Sequence, residues 1–214
     1  QGYAHVVKED LVNPNLLFLG TEMGLYISID GGEGWARFKG GNLPAVAVRD
    51  IAIHPRDNDL VLATHGRGIW IVDDITPLRA LSAKLLSEEI SFVANRGTQQ
   101  RLQANGGWRD GDAVFVGENP PDGAAITYFQ RTRHLFGKLT LEVIDANGKV
   151  VEQLSAGKRP GLNRVTWSMR EKPPRVPPAA QLAQSGTQGP RVLPGDYRIR
   201  MTKNGQTIET KMVV

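Results

Sequence analysis

The stretch that decides how this sequence is interpreted is YISIDGGEGW, residues Tyr26–Trp35. Aromatic and β-branched side chains fill its first half, which predicts a strand, and the Asp-Gly-Gly that follows predicts a turn. Four residues carry the pattern Ser28-x-Asp30-x-Gly32-x-x-Trp35. We expect Asp30 to accept hydrogen bonds from backbone N–H groups, Ser28 to bond across the turn and Trp35 to pack back over the hairpin. Gly32 supplies a backbone conformation that other residues rarely adopt. The stretch therefore predicts a stapled turn.

The first 75 residues contain the surrounding pattern twice. One copy, NPNLLFLGTEMGLYISID, starts at Asn13, and the second reads HPRDNDLVLATHGRGIWIVDD. Leu19 aligns with Leu62 at an offset of 43, and Tyr26 aligns with Trp70 at an offset of 44. A period in the low forties with about four short strands is typical of a β-propeller blade.

Hydrophobic alternation between turn residues predicts four strands in the first repeat and three in the second. They are His5–Leu11, Leu16–Thr21, Gly24–Ile29, Trp35–Lys39, Arg49–His54, Leu60–Thr64 and Gly68–Val72. The second repeat has no recognisable fourth strand. Its open edge predicts that another segment covers it: a partner chain, further repeats, or residues 91–111 folding back.

Residues 75–90, ITPLRALSAKLLSEEI, predict a single helix, with Thr76 as its N-cap and Pro77 in its first turn. The polar segment 91–111 then predicts a linker. Residues 112–214 predict about six or seven further strands with hairpin turns at Asn147-Gly148 and Asn204-Gly205. The fold class is thus all-β: two partial propeller blades (1–75), a short helix and linker (76–111), and an immunoglobulin-like sandwich (112–214).

The residues around the stapled turn resemble a known repeat family. Ser28, Asp30, Gly32 and Trp35 match the Asp box, and residues 1–75 resemble the bacterial neuraminidase repeats and sortilin-type propellers. The resemblance implies a structural role for these four residues, because the box lies away from the catalytic face in such proteins. The second repeat lacks the box.

The stretches THGRGIWIVDDITPL, NPPDGAAITYF, LEVIDANGKVV, GLNRVTWSM and VLPGDYRIRM extend the resemblance. They are similar to the last blade and closing sandwich of large bacterial propeller proteins often described as glycosyl hydrolases. The sandwich also resembles the immunoglobulin-like fold of flagellar hook-cap proteins. The resemblance implies a bacterial protein located outside the cytoplasm, in the periplasm or secreted.

Three residues in turns are candidate binding residues: Glu22, His65 and Arg67. A His–Arg pair in a turn can bind an anion. No catalytic residue is predicted, because glycoside hydrolysis normally needs two positioned carboxylates and the spacing selects no pair. The acids considered are Glu22, Asp30, Glu33, Asp50, Asp73 and Asp74. No metal or cofactor is predicted, since His5, His54 and His134 stand isolated.

Composition excludes several classes of protein. The 214 residues contain no cysteine, which rules out disulfides and thiol chemistry, and the net charge of +4 is scattered rather than clustered for nucleic acid. No apolar run approaches the length of about 18 residues that a membrane span needs.

The sequence favours a non-catalytic binding or scaffold module, or an accessory subunit that docks through its open sheet edges. The expected partner is a protein, or missing propeller blades that cover those edges, with carbohydrate as a further candidate. The alternative is the C-terminal part of a propeller glycoside hydrolase whose active site lies in absent blades.

Overall fold

The structure is a computed structural model that describes residues 2–40, 42–94, 96–100, 121–175 and 188–214. The chain is mostly β and divides into two compact units, Gln1–Leu86 (unit 1) and Ser87–Val214 (unit 2). The division falls inside the segment 76–111 that the sequence assigns to a helix and linker.

Unit 1 contains two antiparallel sheets whose strands follow one another in chain order. The first sheet comprises β1 (Ala4–Glu9), β2 (Leu17–Thr21), β3 (Gly24–Ser28) and β4 (Ala36–Arg37). The second comprises β5 (Val48–Ile53), β6 (Leu60–Thr64) and β7 (Ile69–Val72). All seven predicted strands are present, with ends that shift by one or two residues.

Strand register confirms the internal repeat. Leu19 on β2 pairs with Tyr26 on β3, and the aligned Leu62 on β6 pairs with Trp70 on β7. Both sheets also have a register irregularity at the same place in their first strand, between Ala4 and Val6 in β1 and between Val48 and Asp50 in β5. The two repeats therefore agree in pairing as well as in sequence.

The two sheets of unit 1 pack face to face around one core. The core lies between one surface of each sheet. On the first sheet it is the surface that carries Phe18, Gly20, Leu25 and Ile27, and we call this side of a sheet its front face. On the second sheet it is the other side, the back face, which carries Leu60, Leu62, Trp70 and Val72. Phe18, Leu60 and Leu62 are at most 1 % exposed. Burial of these large side chains is the main source of stability of unit 1.

The predicted single helix over 75–90 is wrong. Two short helices, α1 (Thr76–Arg79) and α2 (Ala83–Ser87), precede a strand, β8 (Ile90–Phe92). Thr76 is the first helical residue rather than the N-cap, and its N–H donates to Asp74 Oδ1 (3.1 Å). The apolar period favoured a helix, but Ile90 instead pairs with a strand of unit 2 and is buried there.

Unit 2 contains two antiparallel sheets that share one core. One sheet has the order β12 (Gly161–Trp167), β9 (Ala124–Gln130), β8; the other has β11 (Val150–Leu154), β10 (Leu139–Ile144), β13 (Asp196–Lys203), β14 (Gln206–Val213). Trp167 is fully buried and meets Tyr197 edge to face at 5.2 Å between ring centroids. Trp167 therefore belongs to the core of unit 2.

A buried lysine links the two sheets of unit 2. Lys203, at the end of β13 and 4 % exposed, donates from Nζ to Glu89 Oε1 (2.7 Å) and to the Thr132 carbonyl (2.7 Å). Hydrogen bonds from Lys203 and from Thr132 lower the pKa of Glu89 to about 2. The ion pair satisfies a charge that would otherwise be costly to bury.

Candidate functional site

The turn after β3 contains the hydrogen bonds expected of a staple. Ser28 Oγ donates to Asp30 Oδ1 (2.6 Å) and accepts the N–H of Gly32 (2.9 Å), while Asp30 Oδ1 also accepts the N–H of Gly34 (2.9 Å). Gly32 has φ +100, where a side chain would be strained. The indole of Trp35 donates to the Gly32 carbonyl (3.0 Å).

Electrostatics at this turn fit a structural role for Asp30. The hydrogen bond from the Ser28 hydroxyl, followed by the bond from the Gly34 N–H, lowers the pKa of Asp30. A carboxylate held in its charged form by local donors is a poor general acid. The geometry therefore favours a staple over a catalytic group.

The second repeat has a related turn that its sequence does not reveal. At the offset of 44, Asp74 takes the place of Asp30, and its carboxylate accepts the N–H of Thr76. The residue after each aspartate also makes an equivalent backbone hydrogen bond, which we call the anchor. In the first repeat the Gly31 N–H donates to the Asn15 carbonyl (2.9 Å). In the second repeat the Ile75 N–H donates to the Asn58 carbonyl (2.8 Å). The aspartate and anchor are thus retained without the serine, glycine and tryptophan.

The candidate binding residues lie at one end of unit 1, which we call the turn end. It holds the starts of β1 and β5 and the turns β2–β3 and β6–β7. The turn ends of the two sheets lie together. His5, the extra residue in the irregular part of β1, contacts its counterpart Arg49 in β5, with 3.2 Å between His5 Nδ1 and Arg49 Nη1. The His65 N–H also donates to the Ala47 carbonyl (2.9 Å).

Hydrogen bonds to backbone carbonyl groups hold both turns. In the first, Thr21 Oγ1 donates to the Gly24 carbonyl (3.0 Å) and the Glu22 N–H donates to the Tyr3 carbonyl (3.2 Å). In the second, Thr64 Oγ1 donates to the Gly68 carbonyl (2.6 Å). Glu22 is half-buried, and His65 and Arg67 are exposed. The topology thus brings the three predicted residues to the same end, on adjacent repeats.

The turn end carries cationic and imidazole side chains that sequence analysis did not group together. The Arg49 guanidinium is a donor only, so the contact with His5 Nδ1 places the imidazole where it can accept from Arg49. Arg49 and Arg67 are donors that suit an anionic group such as a carboxylate, and they lie at the same end of unit 1 as His65. His5 and Arg49 occupy the same position in the two repeats, at an offset of 44, and aligning the repeats would have identified them as a pair.

The acids considered as catalytic candidates are divided between the two ends of unit 1. Glu22 lies at the turn end, whereas the Asp30 and Asp74 turns follow β3 and β7 at the opposite end of their sheets. Asp50 accepts its neighbour's N–H, from Ile51 (2.8 Å). Among the described residues, no group of three or more His, Asp or Glu side chains is arranged to hold a metal ion.

A second polar cluster, missed by sequence analysis, lies at the opposite end of unit 1; we call it the clamp. Arg79 in α1 forms a two-pronged ion pair with Asp10, Nε to Oδ2 and Nη2 to Oδ1, both 2.8 Å. Arg79 Nη1 also donates to Asn58 Oδ1 (2.7 Å). The clamp therefore joins the helix to a loop of each sheet.

Burial acts against the charge of Asp10, whose side chain is inaccessible to solvent. Desolvation alone would raise the pKa, but hydrogen bonds from Arg79 and from the N–H groups of Asn13 and Val12 outweigh it. The pKa of Asp10 is consequently lowered from its ordinary value of 3.8. No spacing rule predicts a pair separated by 69 residues.

Comparisons of the chain with known protein families, with curated proteins and with solved structures found no match. In the part of the chain that the structure describes, no helix is long and apolar enough to cross a membrane.

Proposed function

We propose that this chain is a non-catalytic binding or scaffold module that works outside the cytoplasm of a bacterium and docks onto protein through the exposed sheet surfaces of unit 1. In this proposal the two sheets are propeller blades, the Ser28–Trp35 turn is an Asp box, and unit 2 is an immunoglobulin-like sandwich.

One observation carries the proposal: the front face of the second sheet exposes large apolar side chains. On β6 and β7 it comprises Val61, Ala63, Ile69 and Ile71, of which Ile69 is 72 % exposed and Ile71 57 % exposed. On β5 it adds Ala52 and Asp50. Ile69 and Ile71 lie on β7, the last strand of its sheet. An apolar strand at a sheet edge is a surface that proteins normally cover.

Dye binding tests whether this surface is open. We expect the folded chain to bind bis-ANS, and the variant Ile69→Lys/Ile71→Lys to bind much less at an unchanged melting temperature. The matched control is Leu162→Lys/Val213→Lys, two exposed apolar residues of unit 2, which should retain the signal from unit 1. Equal dye binding by the front-face variant and the wild type would refute docking through this surface.

The second candidate function is that of the C-terminal part of a propeller glycoside hydrolase. The observation that favours it is the turn end, where His5 of one repeat contacts Arg49 of the other at 3.2 Å and further repeats would add other side chains. We expect no hydrolysis of aryl glycosides by this chain alone. Turnover that disappears in Glu22→Gln or Asp73→Asn would overturn the scaffold proposal. An encoding open reading frame many repeats long would favour the second candidate.

A further inference from the structure

Register assigns each front-face residue of the second sheet a counterpart in the first. Phe18 pairs with Ile27, and their counterparts Val61 and Ile71 pair in the second sheet. Gly20 pairs with Leu25, and likewise Ala63 with Ile69. The same positions therefore point to the same side of both sheets.

These counterparts differ sharply in burial. Phe18 and Leu25 are 0 % and 1 % exposed because the back face of the second sheet covers them. Their counterparts are more exposed: Ile69, equivalent to Leu25, is 72 % exposed, and Val61, equivalent to Phe18, is partly exposed. Ile27 is partly buried, whereas its counterpart Ile71 is 57 % exposed. The second sheet thus has the same kind of front face as the first, but no sheet formed by the described residues covers it.

The chain also contains a suitable cover for that face. The back face of the second sheet, which binds the first sheet's front, is built on Leu60, Leu62 and Trp70. Its counterpart on the first sheet has leucine, leucine and an aromatic residue in the equivalent places, namely Leu17, Leu19 and Tyr26. Each of these three side chains is partly exposed, and the adjoining Val7 is 59 % exposed.

We propose that the front face of the second sheet binds the back face of the first sheet in a second copy of the chain. This inference rests on the proposed docking function and names its partner. The contact repeats between copies the packing already present between the two sheets of one chain. It is a head-to-tail interface, in which two different surfaces meet, so one copy can bind on each side.

Sedimentation velocity of the full chain over a wide concentration range tests the proposal. We expect association that grows with concentration. The front variant Ile69→Lys/Ile71→Lys and the back variant Val7→Lys/Tyr26→Lys should each raise the dissociation constant about tenfold or more, because each buries charge in an apolar contact. Val7→Lys alone serves where the back variant unfolds. The Leu162→Lys/Val213→Lys control should associate like the wild type.

Mixing the two variants is the decisive step. The front variant retains an intact back face and the back variant an intact front face, so an equimolar mixture should form dimers that neither variant forms alone. Association that the front variant abolishes and mixing does not restore would overturn the head-to-tail contact while leaving docking through the front face intact. A chain that stays monomeric throughout would also overturn it. The dye and glycoside measurements test the proposed function independently of either outcome.

Discussion

The two repeats of unit 1 differ most in how the chain leaves the third strand. After β3, the staple at Ser28–Trp35 returns the chain to form a fourth strand, β4. After β7, Asp74 keeps the aspartate and the anchoring hydrogen bond, but the chain enters helix α1 and ends in the clamp. The chain after the third strand is therefore held in place by short-range hydrogen bonds in one repeat and by a long-range ion pair in the next.

The largest expected effect comes from breaking the clamp. Asp10→Ala leaves the largely buried Arg79 guanidinium without its partner, and we expect unit 1 to lose about 3–5 kcal/mol of unfolding free energy. Chemical denaturation of the full chain measures the loss. The control is Arg56→Ala, which removes an exposed ion pair with Asp57 and should leave the transition in place. Equal transitions for the two variants would mean that the clamp does not hold the second repeat.

Acid should weaken the clamp in a defined direction. The pKa of Asp10 is lowered in the folded chain, so its contribution is complete above the ordinary value of 3.8 and is lost as the pH falls through the folded value. We expect the stability difference between wild type and Asp10→Asn to be constant near neutral pH and to shrink below about pH 4. Denaturation at a series of pH values would disprove this if the difference grew in acid.

A smaller effect is expected from making the first repeat resemble the second. Ser28→Val introduces the side chain type found at the equivalent Val72, and it removes the acceptor for the Gly32 N–H and a donor to Asp30. The loss should be about 1–2 kcal/mol, because Ser28 is 1 % exposed and its partners stay in place. Ser155→Val, at an exposed serine of unit 2, is the control. A neutral Ser28→Val would show that the staple is dispensable.

Sequence patterns predicted the parts of the fold that local rules determine. Alternation and turn residues located the strands of unit 1, and the spacing of Ser28, Asp30 and Gly32 located the staple. In unit 2, Leu141, Val143, Tyr197, Ile199 and Met201 alternate along their strands and are buried. Strand β8 was missed because the leucines before it, including Leu81 and Leu85, fit a helical period that continues to Ile90.

The candidate site was predicted only in part. Glu22, His65 and Arg67 were recognised one turn at a time, but their placement at a common end depends on how the sheets stack. His5 and Arg49 were passed over because each stands alone in sequence. The clamp could not be predicted either, since the partners of Arg79 become neighbours only after both sheets and α1 have packed.

The central claim is that the second sheet, which has three strands where the first has four, is open to a partner at the edge of β7 and on its front face. Hydrogen exchange of the full chain measures this at strand β7, Ile69–Val72, whose inner edge pairs with β6. In dilute solution we expect the amides that point away from β6 to exchange rapidly, while those of Leu60–Thr64 in β6 stay protected. Raising the protein concentration should then slow exchange along β7. Uniformly slow exchange throughout β5, β6 and β7 in a dilute monomer would contradict the account, because the sheet would then need no cover.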